Sequence, residues 1–435
     1  MDDRQLAVQV ADGGRVRAQL LELWQRTRMD WGFVTDRLAT TFRKETWIGA
    51  HDRRFISETL YGMVRHLRRI DLALERARRV KKPPRDLERL LALLVLERLL
   101  DPARAAKAEP DLDWNAALGV DDAIAGERKL TTRIALAASM PDWLAARLVA
   151  DWGDEAEALA RALNERAPMT VRANLLITDR DALATELAAA GIKTHAGAHA
   201  ATALIVDSRT NLFGLDAFKR GALEAQDEGS QLLAELAHPP GGKGLVIDYC
   251  AGAGGKTLAI AARLGNRGRV LASDIDGKKL EELRRRARRA TVSNSQAVQL
   301  VGDGWPRELD SVRGKADVVF VDAPCSGIGA LRRNPEARWR LREADIAGFV
   351  AKQQAIMKAA VELAAPGARV IYATCSLLAE ENQGVARQIA GVEAVPLQDV
   401  LGAERAPTLG RDGDFTVTPH RHGTDGFYAH VMKRI

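Results

Sequence analysis

The chain has 435 residues, of which 46% are hydrophobic, and this supports about three domains with packed cores. No apolar run approaches the roughly 18 residues of a membrane-spanning helix. The first ten residues lack the basic and then apolar segments of a secretory signal. The net charge of +6 favours a polyanionic partner. We therefore expect a cytoplasmic protein without membrane association.

The positions of the cysteines and arginines say more about the kind of protein. The three cysteines, Cys250, Cys325 and Cys375, are an odd number without Cys-x-x-Cys spacing, which argues against a disulfide framework and against a metal site. Arginines cluster at residues 65–69, 78–85 and 284–289. Such clusters either pair with phosphate groups or form solvated helix faces.

Residues 1–140 are predicted to form an all-α domain. Apolar side chains recur at helical spacing over residues 55–70, with Asp52 as the predicted N-cap. A second, more apolar helix is predicted over residues 87–100. Residues 101–122 are rich in aspartate and proline, so we expect a loop with one helical turn there.

Residues 141–235 mix helices and short strands, which predicts a small α+β domain. Strands are predicted at residues 169–175 and 203–206, and the helix between them, over residues 179–190, ends at Gly191.

From residue 236 to residue 435, strands and helices alternate. The predicted strands are 245–249, 270–274, 297–301, 318–322, 370–374 and 427–433. The predicted helices are 278–290, 343–365 and 380–390. This rhythm predicts an α/β fold with a largely parallel sheet and helices on both faces.

A glycine-rich turn, residues 248–257, follows the first strand of this sheet. It has neither P-loop nor GxGxxG spacing. Its backbone N–H groups could approach a ligand, and Asp274 ends the next strand, where an acid binds ribose hydroxyls. Asp303 and Asp322 follow the next two strands. Three such acids suit the ribose, adenine and amino group of S-adenosylmethionine better than NAD; a purely structural turn is the alternative.

The cysteines indicate the chemistry. Cys325 and Cys375 follow strands and are bracketed by polar and turn residues, whereas Cys250 is expected to be a small buried hydrophobe. Two thiols beside a methyl donor suggest covalent catalysis. A thiolate that adds to carbon 6 of a pyrimidine makes carbon 5 nucleophilic, and a nearby carboxylic acid can stabilise that adduct at N3.

Several motifs resemble the RNA cytosine-5 methyltransferase family. They are Asp322-Ala-Pro-Cys-Ser-Gly, Tyr372-Ala-Thr-Cys-Ser, the 248–257 turn and Gly423-Thr-Asp-Gly-Phe-Tyr. Upstream, Pro141-Asp-Trp-Leu, Arg172-Ala-Asn and Gln226-Asp-Glu-Gly-Ser-Gln resemble the pre-catalytic domain of its bacterial RsmB (Sun, Fmu) branch. Asp52-Arg-Arg-Phe and the stretch from Leu60 to Arg69 resemble the branch's NusB-like RNA-binding domain.

The resemblance implies a role for each matching residue. Cys375 would be the nucleophile, Cys325 would assist product release, and Asp322 would hold N3 of the cytosine. DNA cytosine-5 methyltransferases attack instead with their Pro-Cys thiol. S-adenosylmethionine would be bound by Cys250, Ala251, Gly252, Ala253, Gly254, Gly255, Lys256, Asp274, Asp303 and Asp322. The RNA backbone would be contacted by Arg332, Arg333 and Asn334. The family often has proline where Ala253 stands, which predicts a slightly softer loop.

The predicted function is methylation of carbon 5 of a cytosine in 16S ribosomal RNA. The predicted domains are a NusB-like all-α domain (1–140), a small α+β domain (141–235) and a Rossmann-like, S-adenosylmethionine-dependent catalytic domain (236–435), in a monomer. Two alternatives stay open: a tRNA cytosine-5 methyltransferase and a non-catalytic RNA-binding ribosome assembly factor. An NAD-dependent enzyme is disfavoured because the chain has no GxGxxG.

Overall fold

The computed structural model describes residues 2–78, 80, 82–208, 210–302 and 304–435. The chain divides into two compact units. The first, here called the helical unit, runs to Arg166 and also takes Leu331–Glu343. The second, here called the sheet unit, comprises Ala167–Ala330 and Ala344–Ile435. The division into three domains stays a prediction.

The helical unit is built around buried apolar helix faces, with Trp24, Phe55 and Leu91 in its core. Its helices up to Arg166 are α1 (Asp3–Asp12), α2 (Gly14–Asp30), α3 (Val34–Lys44), α4 (Ala50–Arg65), α5 (Leu67–Ala77), α6 (Asp86–Leu96), α7 (Pro102–Ala108), α8 (Trp114–Leu118), α9 (Val120–Ala125), α10 (Leu130–Ala137), α11 (Asp142–Trp152) and α12 (Ala156–Asn164). Helix α6 is apolar nearly all round and is correspondingly buried.

The first part of the sheet unit is a small antiparallel sheet with strand order β2-β3-β1-β4. Its elements are β1 (Met169–Ala173), α13 (Arg180–Ala189), β2 (Thr194–Ala196), β3 (Ala203–Val206), α14 (Asp216–Lys219), β4 (Leu223–Ala225) and α15 (Glu228–Leu236). Gly191 follows α13 with φ 77°, as the sequence predicted. Asp179, predicted as the first residue of this helix, is its N-cap.

The large sheet of this unit has the order β11-β12-β13-β9-β8-β5-β6-β7, and β10 pairs with β13. Its elements are β5 (Leu245–Asp248), α16 (Gly255–Arg263), β6 (Arg269–Asp274), α17 (Gly277–Arg289), β7 (Ser295–Gln299), α18 (Arg307–Asp310), β8 (Ala316–Asp322), α19 (Ala337–Arg340, in the helical unit), α20 (Asp345–Val361), β9 (Ala364–Thr374), α21 (Gln383–Ala386), β10 (Val392–Ala394), α22 (Gln398–Leu401), α23 (Ala406–Leu409), β11 (Gly410–Arg411), β12 (Asp414–Val417), α24 (Pro419–His422) and β13 (Phe427–Arg434).

Strands β5 to β9 pair in parallel, and β13 adds antiparallel to β9. Side chains alternate along β8, with Val318 and Phe320 in one buried cluster and Val319 and Val321 in the other, so both faces of the sheet are covered. Within the sheet, β6 is the neighbour of β5 on one side and β8 is its neighbour on the other, so the strand order reverses at β5. This is a topological switch point, the place where open α/β sheets bind ligands.

Three local predictions were wrong. Helix α4 begins at Ala50 with Gly49 as N-cap, and Asp52 lies in its first turn. Much of 101–122 is helical, because Asp101 and Asp113 cap α7 and α8 rather than marking a loop. Most of the helix predicted over 380–390 is absent, and only α21 forms within it.

Candidate active site

The glycine-rich turn lies between β5 and α16, as predicted. Gly252 has φ 54° and Gly254 has φ 84°, a region that side chains rarely adopt. The Gly252 N–H donates to Asp274 Oδ2 over 2.8 Å, so the predicted ribose-binding acid and the turn do meet. A Cβ added at Gly252 would have no atom within 4 Å, which leaves room for a ligand.

An ion-paired arginine holds the same turn, and sequence reasoning missed it. Arg286 donates through Nη1 to the Ala253 carbonyl at 2.8 Å and through Nη2 to Glu224 at 3.0 Å. Glu224 is 2% exposed and also accepts from Arg289. The sequence shows the arginine cluster of α17, but it does not show that Arg286 binds Glu224 and the Ala253 carbonyl.

Beneath the turn, Asp248 is fully buried and accepts a 2.6 Å hydrogen bond from Thr257. Burial raises the pKa of Asp248 to about 7. Burial also raises the pKa of the Cys250 thiol, so Cys250 is a neutral thiol at ordinary pH. Asp303 lies outside the described residues. The open turn and the carboxylate of Asp274 fit an adenosyl ligand with ribose hydroxyls.

Asp322 ends β8 beside Ala373 of β9 and forms an ion pair with Lys256 at 2.6 Å. Burial opposes the charge on Lys256, but the Asp322 carboxylate outweighs it, with a smaller contribution from the Cys375 sulfur, so the pKa of Lys256 is raised. Lys256 Nζ also lies 5.6 Å from the centre of the Phe427 ring. Lys256 is therefore a cation at neutral pH, directly bound to Asp322.

Cys325 and Cys375 are brought together by the pairing of β8 with β9. Their Sγ atoms are 3.4 Å apart, and both are free thiols. Contact with Cys375 and burial hold the pKa of Cys325 well above its usual value. Two neighbouring sulfurs cannot both carry a negative charge at low cost. At most one of the two sulfurs can therefore carry a negative charge at a time.

A buried carboxylate, Glu381, joins the two cysteine-bearing loops and was also missed. It accepts from the hydroxyls of Ser326 and Ser376, which directly follow the two cysteines. The sequence places Glu381 in a predicted helix, where its inward orientation could not be anticipated.

The Gly423–Tyr428 motif packs against the loop after Cys325. Gly426 N donates to Gly329 O, and Gly329 N donates to Cys375 O, both at 2.9 Å. The Asp425 N–H donates to Asp227 at 3.2 Å. The Gly423–Tyr428 motif therefore supports the thiol loops through backbone contacts, and the Asp227 side chain, from the Gln226–Gln231 motif, holds it in turn.

Arg332, Arg333 and Asn334 belong to the helical unit. Arg332 is 7% exposed and donates to the Arg166 carbonyl, while Arg65 donates to the Arg332 carbonyl. Arg333 and Asn334 are partly exposed. RNA contact by these three residues stays a prediction. Because Arg332 is buried, Arg333 and Asn334 are the more accessible candidates.

No group of three or more His, Cys, Asp or Glu side chains suited to a metal ion occurs among the described residues. Within the same residues, no helix combines the length and the apolar character needed to cross a bilayer.

Comparisons with known proteins are consistent with this architecture. A family model described as 16S rRNA methyltransferase RsmB/F matches residues 236–433, and one described as the ferredoxin-like domain of RsmF/B-like methyltransferases matches residues 140–212. The probable ribosomal RNA small subunit methyltransferase B of Synechocystis sp. is 31% identical over 416 residues, which cover 88% of this chain and 91% of that protein.

Two solved structures share the fold. PH0851 aligns over 100% of this chain and 99% of its own, with TM-score 0.75 and 23% identity. NSun6 from Pyrococcus horikoshii with SFG covers 66% of this chain and 97% of its own, with TM-score 0.56 and 21% identity. The predicted Rossmann-like methyltransferase fold is thus confirmed, and the helical N-terminal region is consistent with a NusB-like domain. The chain belongs to the 16S rRNA methyltransferase RsmB/F family, whose methyl donor is S-adenosylmethionine.

Proposed function

We propose that the protein methylates carbon 5 of a cytosine in 16S ribosomal RNA through a covalent cysteine–cytosine adduct. Methylation of small-subunit ribosomal RNA follows from the family; the atom and the adduct are the proposal. The observation that carries it is the pair of thiols, with Cys325 Sγ and Cys375 Sγ 3.4 Å apart. A methyl transfer to an already nucleophilic atom needs no such pair.

Cys375 is the proposed nucleophile. Cys375 stands in the Thr-Cys-Ser motif, whose thiol is the nucleophile in the RNA cytosine-5 methyltransferases that the chain resembles, and the raised pKa of Cys325 keeps that second thiol protonated. Cys375 Sγ forms a bond to carbon 6, and the electrons of the 5,6 double bond make carbon 5 nucleophilic. S-adenosylmethionine, when bound, supplies the electrophilic methyl group. The Lys256 ammonium lies within electrostatic reach of Cys375 and stabilises negative charge at the sulfur.

Asp322 is the proposed partner of cytosine N3. Its Oδ2 accepts the hydrogen bond from Lys256. Its Oδ1 accepts no hydrogen bond from a described residue and is available to N3 once the adduct carries a proton there, because N3 of neutral cytosine and a carboxylate are both acceptors. Lys256 fixes the carboxylate, so a base bound there has its carbon 6 held in one orientation.

Product release completes the cycle. A base removes the proton from carbon 5, the electrons re-form the 5,6 double bond, and the bond between carbon 6 and Cys375 Sγ breaks. The protonated thiol of Cys325, 3.4 Å away, assists this elimination. Cys375 is regenerated as a thiolate.

The donor would be held by the turn Cys250–Lys256, by Asp274 at the ribose and by Asp322 on the side of the amino group. These assignments combine the open surface at Gly252 with the carboxylates at the strand ends. Asp303 is proposed from its place after a predicted strand and from the resemblance. Arg333 and Asn334 are the proposed RNA contacts, with Arg332 beside them.

Two substitutions test the assignment of the thiols. We expect Cys375→Ala to abolish methylation while S-adenosylmethionine binding, measured by calorimetry, is retained. We expect Cys325→Ala to accumulate a covalent protein–RNA adduct that survives a denaturing gel. The opposite pattern, with an adduct in Cys375→Ala and none in Cys325→Ala, would assign attack to Cys325. Normal turnover in Cys375→Ala would refute covalent catalysis by this residue.

The substrate is tested separately. Incorporation of labelled methyl groups into 16S ribosomal RNA, but not into tRNA, is expected, and bisulfite sequencing of both RNAs from a knockout strain would identify the cytosine. Incorporation into tRNA alone would favour the tRNA enzyme. No incorporation into either RNA or into ribosomal particles would favour a non-catalytic assembly factor.

A further inference from the structure

Glu381 is a fully buried carboxylate close in sequence to Cys375. Each of its oxygens accepts two hydrogen bonds. Oε1 accepts from Ser326 N at 2.9 Å and from Gln353 Nε2 at 3.0 Å. Oε2 accepts from the hydroxyls of Ser326 and Ser376, each at 2.5 Å. No lone pair directed into the protein is left for a ligand, so Glu381 has a role other than binding substrate.

The donors come from the two segments that carry the thiols. Ser326 directly follows Cys325, and Ser376 directly follows Cys375. The two hydroxyls also lie 3.1 Å from each other. One carboxylate therefore joins, through hydroxyls one residue away, the two loops whose sulfurs are in contact.

The segment that carries Glu381 is itself fixed. Its carbonyl accepts from the Tyr372 hydroxyl at 2.5 Å. Next to it, Asn382 accepts from the Thr374 hydroxyl at 2.6 Å and donates to the Ser376 carbonyl at 3.1 Å. A carboxylate with its backbone held in this way can act as a fixed reference for both loops.

We propose that Glu381 is a positioning residue that sets the distance between the Cys325 and Cys375 thiols. The proposal rests on the proposed function, because the thiols need this separation only if both act in one reaction. The negative charge of Glu381 makes a second contribution. It raises the pKa of Cys325 and so helps to keep that thiol protonated, although contact with Cys375 and burial raise this pKa more.

The test measures thiol proximity without RNA. Diamide, a diazene oxidant, takes two electrons and two protons from a pair of neighbouring thiols, which become a disulfide while the diazene becomes a hydrazine. We expect wild-type protein to form the Cys325–Cys375 cross-link readily, because the sulfurs are 3.4 Å apart. Peptide mapping by mass spectrometry follows its rate.

Glu381→Met removes all four acceptor contacts at similar side-chain length. We expect cross-linking to slow by about tenfold or more, and kcat for methylation to fall by about a hundredfold, as for a displacement of about 1 Å. The affinity for S-adenosylmethionine should not change. Glu381→Gln should give a rate between those of the wild type and Glu381→Met, because its amide oxygen can still accept from the two hydroxyls while its NH₂ cannot accept from Ser326 N. Glu393→Gln, at an exposed ion pair with Lys433, is the matched control.

If Glu381→Met does not fold, as judged by its melting curve, Ser326→Ala and Ser376→Ala replace it, and each should slow cross-linking by an intermediate factor. A folded Glu381→Met protein, or both serine variants, with the wild-type cross-linking rate would overturn the proposal. Because the cross-link needs no RNA, it can slow even if Cys375→Ala retains methylation. In that case only the proposed function fails.

Discussion

Replacing Gly329 by alanine tests the junction between the thiol loops and the Gly423–Tyr428 motif. The new Cβ would lie 2.1 Å from Gly426 O and 2.8 Å from Cys375 O. Real Cβ atoms essentially never approach closer than 3.0 Å, so the backbones must separate by about 0.9 Å, the difference between 3.0 and 2.1. The neighbouring atoms are backbone, which cannot rotate away as a flexible side chain would.

The carbonyl that must move furthest belongs to Gly426. Because Gly329 N donates to the carbonyl of the proposed nucleophile, Cys375, a shift of Gly329 away from Gly426 also moves Cys375. We expect Gly329→Ala to reduce single-turnover methylation by about a hundredfold, because a misplacement of about 1 Å has that effect on reacting groups. Overpacking should lower the free energy of unfolding by about 1–3 kcal/mol. Single-turnover kinetics with saturating donor and urea unfolding measure the two effects.

Gly348→Ala provides the control. It makes the same chemical change in helix α20, where a Cβ would meet no atom within 4 Å. We expect unchanged methylation and a small gain in stability, since alanine favours a helix interior over glycine. Unchanged methylation in Gly329→Ala would refute the reasoning that this junction positions Cys375.

Two further predictions concern the cofactor turn and acid stability. Arg286→Met should weaken S-adenosylmethionine binding by about tenfold, since one charged hydrogen bond to the turn is lost, while Arg285→Met should bind normally in calorimetry. Burial, with nearby arginines, lowers the pKa of His66 to about 3 from 6.5. Between about pH 3 and pH 6.5 the unfolded chain therefore binds more protons at His66 than the folded chain does, so the free energy of unfolding falls on acidification. We expect the free energy of unfolding, measured in urea, to fall by about 2 kcal/mol between neutral pH and pH 5. His66→Phe should remove this contribution to the pH dependence. An identical pH dependence in His66→Phe, or normal donor binding in Arg286→Met, would contradict these predictions.

Local sequence patterns predicted most strands of the sheet unit. The predicted strand over 203–206 has the observed bounds of β3, and the turn between β5 and α16 formed where its glycines indicated. Such elements are predictable because hydrophobic period, glycine and capping residues act over a few positions. Asp101 and Asp113 show the limit, since an aspartate can mark either a loop or a helix N-cap.

The sequence by itself determined the chemistry available: two thiols after strands, an acid at the end of a strand and a glycine turn. Only the tertiary structure decided the distances. Cys325 and Cys375 are 50 positions apart, and they meet because β8 pairs with β9 in the register of Asp322 with Ala373. Glu381 turns inward because two hydroxyls and a backbone N–H, all from other segments, satisfy it there. Contacts of this kind depend on strand order and burial, which no local pattern encodes.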